Sequence, residues 1–390
     1  MLAELEAAGL RRSLRTIEGA QGVDALVAGR ALANFSSNDY LGLAAHPALR
    51  EAATKAVEKY GAGAGSARLI SGSQKPHAEL EVALADFKGG GAALAFSSGY
   101  AAALGVIPAL VGAGDTVVID KLSHASLVDA ARLSGAKLRV FRHNDLDSLA
   151  DILKWADRRK VEGRVGERSR TLIVTESVFS MDGDLAPLLN LVELKEKHGA
   201  WLMVDEAHAT GLYGENRRGL IEEFGVADRV DVQMGTLGKA LGASGGYVCG
   251  SRTLIDFLIN KARSFVFSTA PAPAAAAAAR AGVELAQGDE GYARCQRLWN
   301  VVDLLKNGLI RLGFAMPPIR SAILPVIVGG EEAAVSLADK LLEQGVLAPA
   351  VRYPTVARGA ARLRLTASAG HGEPHLQRLF QALSGSGCGR

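Results

Sequence analysis

The chain has 390 residues, 48% hydrophobic and 22% charged, with a formal net charge of +3. That length exceeds what one small core needs and predicts a large and a smaller domain. The near balance of acids and bases, with no basic block, excludes a nucleic-acid binder. Three scattered cysteines, Cys249, Cys295 and Cys388, exclude a disulfide framework and a closely spaced zinc motif; no metal is expected, and the setting reads as reduced and cytoplasmic.

In chain order, the first twenty residues are charged throughout and lack the apolar core of a signal peptide. Residues 89–114 are uncharged, but seven glycines, Pro108 and the Ser97-Ser98 pair divide them into a strand and a helix rather than a membrane span. The apolar runs "ALAFS", "TVVID", "LRVFR", "TLIVT", "WLMVD" and "VDVQM" alternate with helical stretches, which predicts an α/β domain built on a mainly parallel sheet covered on both faces. The tract "APAPAAAAAAR" predicts a packed helix starting at a proline. Beyond it, helices near 292–312, 331–344 and 374–383, with strands "AILPVIV" and "RLRLT", form a smaller α+β domain. The expected division is residues 1–46 as an N-terminal segment, 47–288 as the large domain and 289–390 as the small one. The end "SGSGCGR" reads as a frayed tail.

Ligands of open α/β sheets bind beyond the carboxyl ends of the strands, so polar residues there carry the chemistry. In "MGTLGKALGASGG", Lys239 is the sole charge among small residues; Gln233 and Ala240 break the P-loop pattern, leaving an amine that close-packed surroundings can desolvate for covalent catalysis. Asp205 follows "WLMV" and His208 lies three residues on; an acid there is commonly a helix cap, yet beside Lys239 it also suits a cationic pyridine nitrogen. "SSGY" opens a helix whose free amides make an anion site, with Gly99 allowing close approach. His124 and Ser180 leave strand ends in the same way.

Taken in order, "NFSSNDYLGL", "LSHASL", "RHNDLDSL", "VFSMDGD", "WLMVDEAHATG", "GTLGKALG" and "PTVARGAARLRLT" resemble the α-oxoamine synthase family of pyridoxal-phosphate enzymes, from about Arg11 to the last helix. The resemblance implies the aminotransferase-like, fold type I architecture with pyridoxal 5'-phosphate as cofactor. It assigns catalysis to Lys239, His124, Asp205 and His208: Lys239 binds the cofactor covalently, Asp205 faces the ring nitrogen, and His124 covers the ring. Ser180 and His208 fall near the ring oxygen, and Gly99, Tyr100 and Thr236 at the phosphate. Ser268 would reach the phosphate of the neighbouring subunit, since family sites lie at a homodimer interface. Arg364 and Asn38 are assigned to the amino-acid carboxylate, and Thr355 and Arg11 to the acyl substrate, with His124 also meeting substrate. Arg12 adjoins Arg11 in a motif-poor stretch, and either could serve. Arg362 shares the strand parity of Arg364 and is expected as a surface charge.

Within the family, "NFSSNDYLGL" and "PTVARGAARLRLT" are most similar to the biotin-pathway members, although Tyr353 stands where those often have proline. The implied reaction is a decarboxylating condensation of L-alanine with a pimeloyl thioester carried by coenzyme A or acyl carrier protein. Other readings are a sibling using glycine or serine, and a non-catalytic partner subunit, against which the retained Lys239 argues. A nicotinamide oxidoreductase would need a Gly-x-Gly-x-x-Gly turn after its first strand, and none is present.

Overall fold

The computed structural model describes residues 1–7, 10–163, 165–166, 168–317 and 320–386. Cys388 and residues 387–390 of the expected tail lie outside these, whereas Ser384 and Gly385 close the helix Glu373–Gly385. The strands, in chain order, are β1 (Asp24–Val27), β2 (Arg30–Asn34), β3 (Ala92–Phe96), β4 (Thr116–Asp120), β5 (Lys137–Phe141), β6 (Thr171–Glu176), β7 (Trp201–Asp205), β8 (Val232–Thr236), β9 (Gly246–Gly250), β10 (Ile323–Gly329), β11 (Val346–Leu347), β12 (Ala350–Val351) and β13 (Ala361–Thr366). The chain divides into two compact units, one of residues 46–179 and 185–292, the other of described residues in 1–45, 180–184 and 293–390.

The larger unit holds a seven-stranded sheet in the order β3-β9-β8-β7-β6-β4-β5. β8, β7, β6, β4 and β5 run parallel to their neighbours. β9 is reversed against both β3 and β8. The apolar runs become strands because every residue of β3, β4 and β6 is buried, as a sheet with helices on both faces requires. Leu94, Val106, Val117, Leu127, Val174, Met203 and Val248 belong to its continuous core. β9 escapes sequence reading because "GYVCG" is short and ends in glycines.

The tract after Pro271 is the helix Pro273–Gln287, with proline in its first turn and Ala276, Ala279 and Ala286 buried. It needs small residues: a Cβ on Gly282 would stand 2.1 Å from Leu241 O, so only glycine lets this helix touch the loop that follows Lys239.

The smaller unit contains two three-stranded sheets, β1-β2-β11 and β10-β13-β12, with helices Glu331–Glu343 and Glu373–Gly385. The turn Ser180–Asp184 groups with this unit, although Val178 and Leu185 at its neck bridge to each other within the larger one.

Candidate active site

In the larger unit, the carboxyl ends of β4, β6, β7 and β8 assemble one cluster. Asp205 ends β7, 6% exposed, and Glu176 ends β6 directly opposite it in register, 3% exposed. The Ala207 amide donates to Asp205 Oδ1 at 2.8 Å. Glu206 turns the other way, where Lys88 Nζ at 2.5 Å and the Ile221 amide occupy its carboxylate in a fully buried ion pair. Adjacent acids thus divide the work: Glu206 ties the fold, and Asp205 is left for the site.

Lys239 lies in the turn after β8, its Nζ 2.8 Å from His208 Nε2. Thr236 shapes that turn: its hydroxyl donates to Gly245 O at 3.0 Å and accepts the Gly238 amide at 3.2 Å. Ser98 caps the helix Gly99–Leu110, using its hydroxyl for the Ala101 amide and its carbonyl for the Ala102 amide. The amides of Gly99 and Tyr100 remain to point beyond the helix end, the arrangement an anion needs. The Tyr100 hydroxyl donates to Asp129 Oδ2 at 2.5 Å, so only its main chain serves that end. Gly246 permits the packing, because a Cβ there would lie 2.5 Å from Gly99 N and Ser98 O. Ser268 lies on the segment after Arg263–Val266, lining a small cavity with Phe96 and Ser97 at the end of β3, its hydroxyl donating to Thr269 O.

Electrostatically, burial raises the Asp205 pKa, with the Lys239 cation and the Ala207 amide opposing it. Burial and the neighbouring Asp205 push Glu176 up to about 8, against Lys239 and the His124 amide. Desolvation lowers His124, opposed by Asp205, while Lys239 adds to the lowering. A buried acid whose charge is poorly matched until a further cation arrives, an amine beside a histidine, and an open helix end suit one ligand: a phosphorylated ring with a basic nitrogen and a carbonyl. This donor set fits pyridoxal phosphate.

In the smaller unit, Arg364 on β13 donates from Nε to Ser180 O at 2.5 Å, from Nη1 to Asn38 Oδ1 at 3.1 Å and from Nη2 to the Tyr40 hydroxyl at 3.5 Å. Each terminal nitrogen carries a second N–H, so the held guanidinium retains a bidentate capacity. Arg362 is not the surface charge expected. It is 6% exposed and bonds Asp182 Oδ1 at 2.5 Å and Met181 O at 3.3 Å, because β13 is the central strand of its sheet and both arginines grip the turn Ser180–Asp184.

A groove of about 510 Å³ is lined by Arg11, Arg12, Arg15, Arg352 and Thr355 among others. Here Arg12 Nη2 donates to Thr355 Oγ1 at 3.2 Å, whereas Arg11 pairs with Glu6 and gives only its carbonyl to Arg352. Sequence reasoning missed Glu176 and Tyr40. Glu176 had a signal, since "TLIVTE" ends on an acid after an apolar run just as "WLMVD" does; Tyr40, fully buried inside "NFSSNDYLGL", had none.

Residues 30–383 match the model of the aminotransferase class I and II family. The chain is 49% identical over 383 residues to the 8-amino-7-oxononanoate synthase of Geobacter sulfurreducens, covering 98% of this chain and 96% of that one. Identity to the same-named protein of Symbiobacterium thermophilum is 45% over 380 residues, with 97% and 94% covered. Among solved structures, a serine palmitoyltransferase from S. paucimobilis with a bound PLP–myriocin aldimine is similar at a TM-score of 0.91 and 30% identity, over 99% of this chain and 95% of that one. An 8-amino-7-oxononanoate synthase from Francisella tularensis is similar at 0.76 and 28% identity, over 91% and 97%. The chain belongs to the aminotransferase class I and II family, in its α-oxoamine synthase branch, with the fold type I architecture of pyridoxal-phosphate enzymes.

Proposed function

We propose that the chain condenses L-alanine with a pimeloyl thioester, releasing CO2 and the free thiol carrier and giving 8-amino-7-oxononanoate for biotin biosynthesis. The observation that carries this reading is the near-full-length identity of 45–49% to 8-amino-7-oxononanoate synthases, joined to a Lys239–His208–Asp205 cluster at the sheet's carboxyl edge. When bound, pyridoxal phosphate supplies an electron sink for negative charge developing at the alanine Cα.

The chain's own residues divide the rest. Lys239 would hold the cofactor, and its amine, oriented by His208 at 2.8 Å, would move the alanine Cα proton. Asp205 keeps the ring nitrogen protonated by its charge. Gly99 and Tyr100 amides, with Thr236 nearby, receive the phosphate, and Ser180 with His208 serves the ring oxygen. Arg364 grips the alanine carboxylate bidentately, steadied by Asn38. Arg12 with Thr355, rather than Arg11, meets the acyl substrate, as their 3.2 Å contact supports. His124 covers the ring and faces substrate.

A homodimer is part of the reading, with Ser268 reaching the other subunit's phosphate. The buried Cys249 thiol suits a cytoplasmic setting, and among the described residues no helix is long and apolar enough to cross a membrane. Product formation from alanine, glycine and serine against pimeloyl, acetyl, succinyl and palmitoyl thioesters, on coenzyme A and on acyl carrier protein, tests the function. Alanine with a pimeloyl thioester is the expected preference; turnover confined to glycine or serine, or none at all, would contradict it.

A further inference from the structure

Beyond the residues assigned above, one buried acid at the carboxyl edge has no part in cofactor or substrate binding. We propose that Glu176 is a positioning residue, whose carboxyl accepts the main-chain N–H of His124 and thereby fixes both the place and the tautomer of the His124 ring. The proposal rests on the functional reading only for what His124 meets, not for how it is held.

The segment from β4 to the helix Ala125–Leu133 is pinned amide by amide. The Leu122 amide donates to Asp120 Oδ1 at 2.7 Å, the Ser123 amide to Asp120 O at 3.1 Å, and the His124 amide to Glu176 Oε1 at 2.5 Å. Asp120 is itself locked, accepting from His143 Nδ1 and the Asn144 amide, both at 2.9 Å. With its main chain so fixed, His124 caps the following helix: its Nδ1 accepts the Ser126 amide at 3.2 Å and lies 2.8 Å from the Ser126 hydroxyl. An amide N–H can only donate, so Nδ1 is an acceptor and the proton of the neutral ring sits on Nε2. His124 therefore presents an N–H to an oxygen of the substrate, and it cannot serve as a base through that nitrogen.

Glu176 does this without a charge. It stands opposite Asp205 on the adjacent strand, where paired strands lie about 4.8 Å apart, and two buried anions at that spacing repel strongly. The groups facing it are Asp205 from β7, Asp120 from β4, Lys239 from the turn after β8 and the His124 amide; burial, with the two acids, outweighs the Lys239 cation and the amide and pushes it up to about 8. A neutral carboxyl still accepts the His124 amide through its carbonyl oxygen. The negative charge beneath the cofactor is then left to Asp205.

Two measurements separate this from a structural role. Histidine 15N shifts of the cofactor-free protein at neutral pH, with His124 assigned by the loss of its signals in His124→Asn, should report a neutral ring protonated at Nε2. In the holoenzyme, Glu176→Ala should lower kcat/KM for the thioester roughly 10- to 100-fold and alter the visible circular dichroism of the bound cofactor. Glu176→Gln, an uncharged acceptor of the same shape, should recover most of both. An Nδ1-protonated or imidazolium His124 overturns the proposal. So does a Glu176→Gln as impaired as Glu176→Ala, or a Glu176→Ala with parental kinetics and dichroism. If Glu176→Ala does not fold, the 15N readout of the parent protein and the Gln variant still decide. An inactive parent protein would instead refute the functional reading and leave the tautomer result standing.

Discussion

Arg364 and Arg362 occupy the same face of β13, two residues apart, and look interchangeable until their partners are seen. Arg362 is committed to Asp182 and Met181 O, while Arg364 spends one N–H each on Ser180, Asn38 and Tyr40. A charge-assisted hydrogen bond contributes roughly 1.5–3 kcal/mol, so Arg364→Ala should raise the KM for alanine about 10- to 150-fold. Cofactor affinity should stay nearly constant, since ring and phosphate are held elsewhere. Arg364→Lys should fall between, keeping charge but losing the planar fork. An unchanged KM in steady-state assays with Arg364→Ala would remove it as the carboxylate clamp. Glu176 makes a second prediction, on stability. Its folded pKa of about 8 lies above the usual 4.5, so between those values the unfolded chain has released a proton that the folded one keeps. Stability therefore falls as pH rises through this window. Glu176→Gln cannot ionise, so its melting temperature, minus that of the parent, should climb from pH 5 to pH 8 in the cofactor-free protein. His371, pushed down to about 4 by burial, acts oppositely as pH falls from 6.5, but equally in both proteins and so cancels. A pH-independent difference would mean that Glu176 is charged in the fold.

Elements, more than side chains, set where the helix end at Ser98 meets the sheet. Gly246 pairs with Phe96 of β3 and Thr236 of β8, and its missing Cβ is what admits the Ser98–Gly99 backbone. Gly246→Ala should push that end away from the sheet and weaken pyridoxal phosphate binding more than about tenfold, a change of at least one charge-assisted hydrogen bond. Titration of the cofactor-free variant checks it; parental affinity would mean the amides of Gly99 and Tyr100 do not hold the phosphate. The part played by Gly246 was not legible beforehand. "SSGY" announces a helix start after a strand, because cap residues and small residues act locally, but β9 carries no alternation and its closeness to the helix end is a tertiary fact. The apolar runs of β3, β4 and β6 were readable as strands for the opposite reason: burial on both faces leaves an unmistakable local composition. Arg362 shows the limit at single positions, since strand parity fixes its face but not whether another segment covers it.

For the whole molecule, the order of dispersed motifs carried more than any one of them. Asp205, His208 and Lys239 lie on two strand ends 31 to 34 residues apart, and only a parallel sheet makes such separations neighbours. Assembly is the further whole-molecule expectation: Ile70 and Phe267, 81% and 72% exposed, extend from neighbouring segments bridged by Ala67 and Thr269. Sedimentation should find a dimer that Ile70→Asp weakens, and a monomeric parent protein would contradict the dimeric site. The whole arrangement turns on a covalent bond to Lys239, which borohydride reduction of the protein saturated with pyridoxal phosphate, followed by peptide mapping, would reveal. Reduction should leave one phosphopyridoxyl group per chain, on Lys239; a label on any other lysine, or none on cofactor-saturated protein, would remove Lys239 from that role.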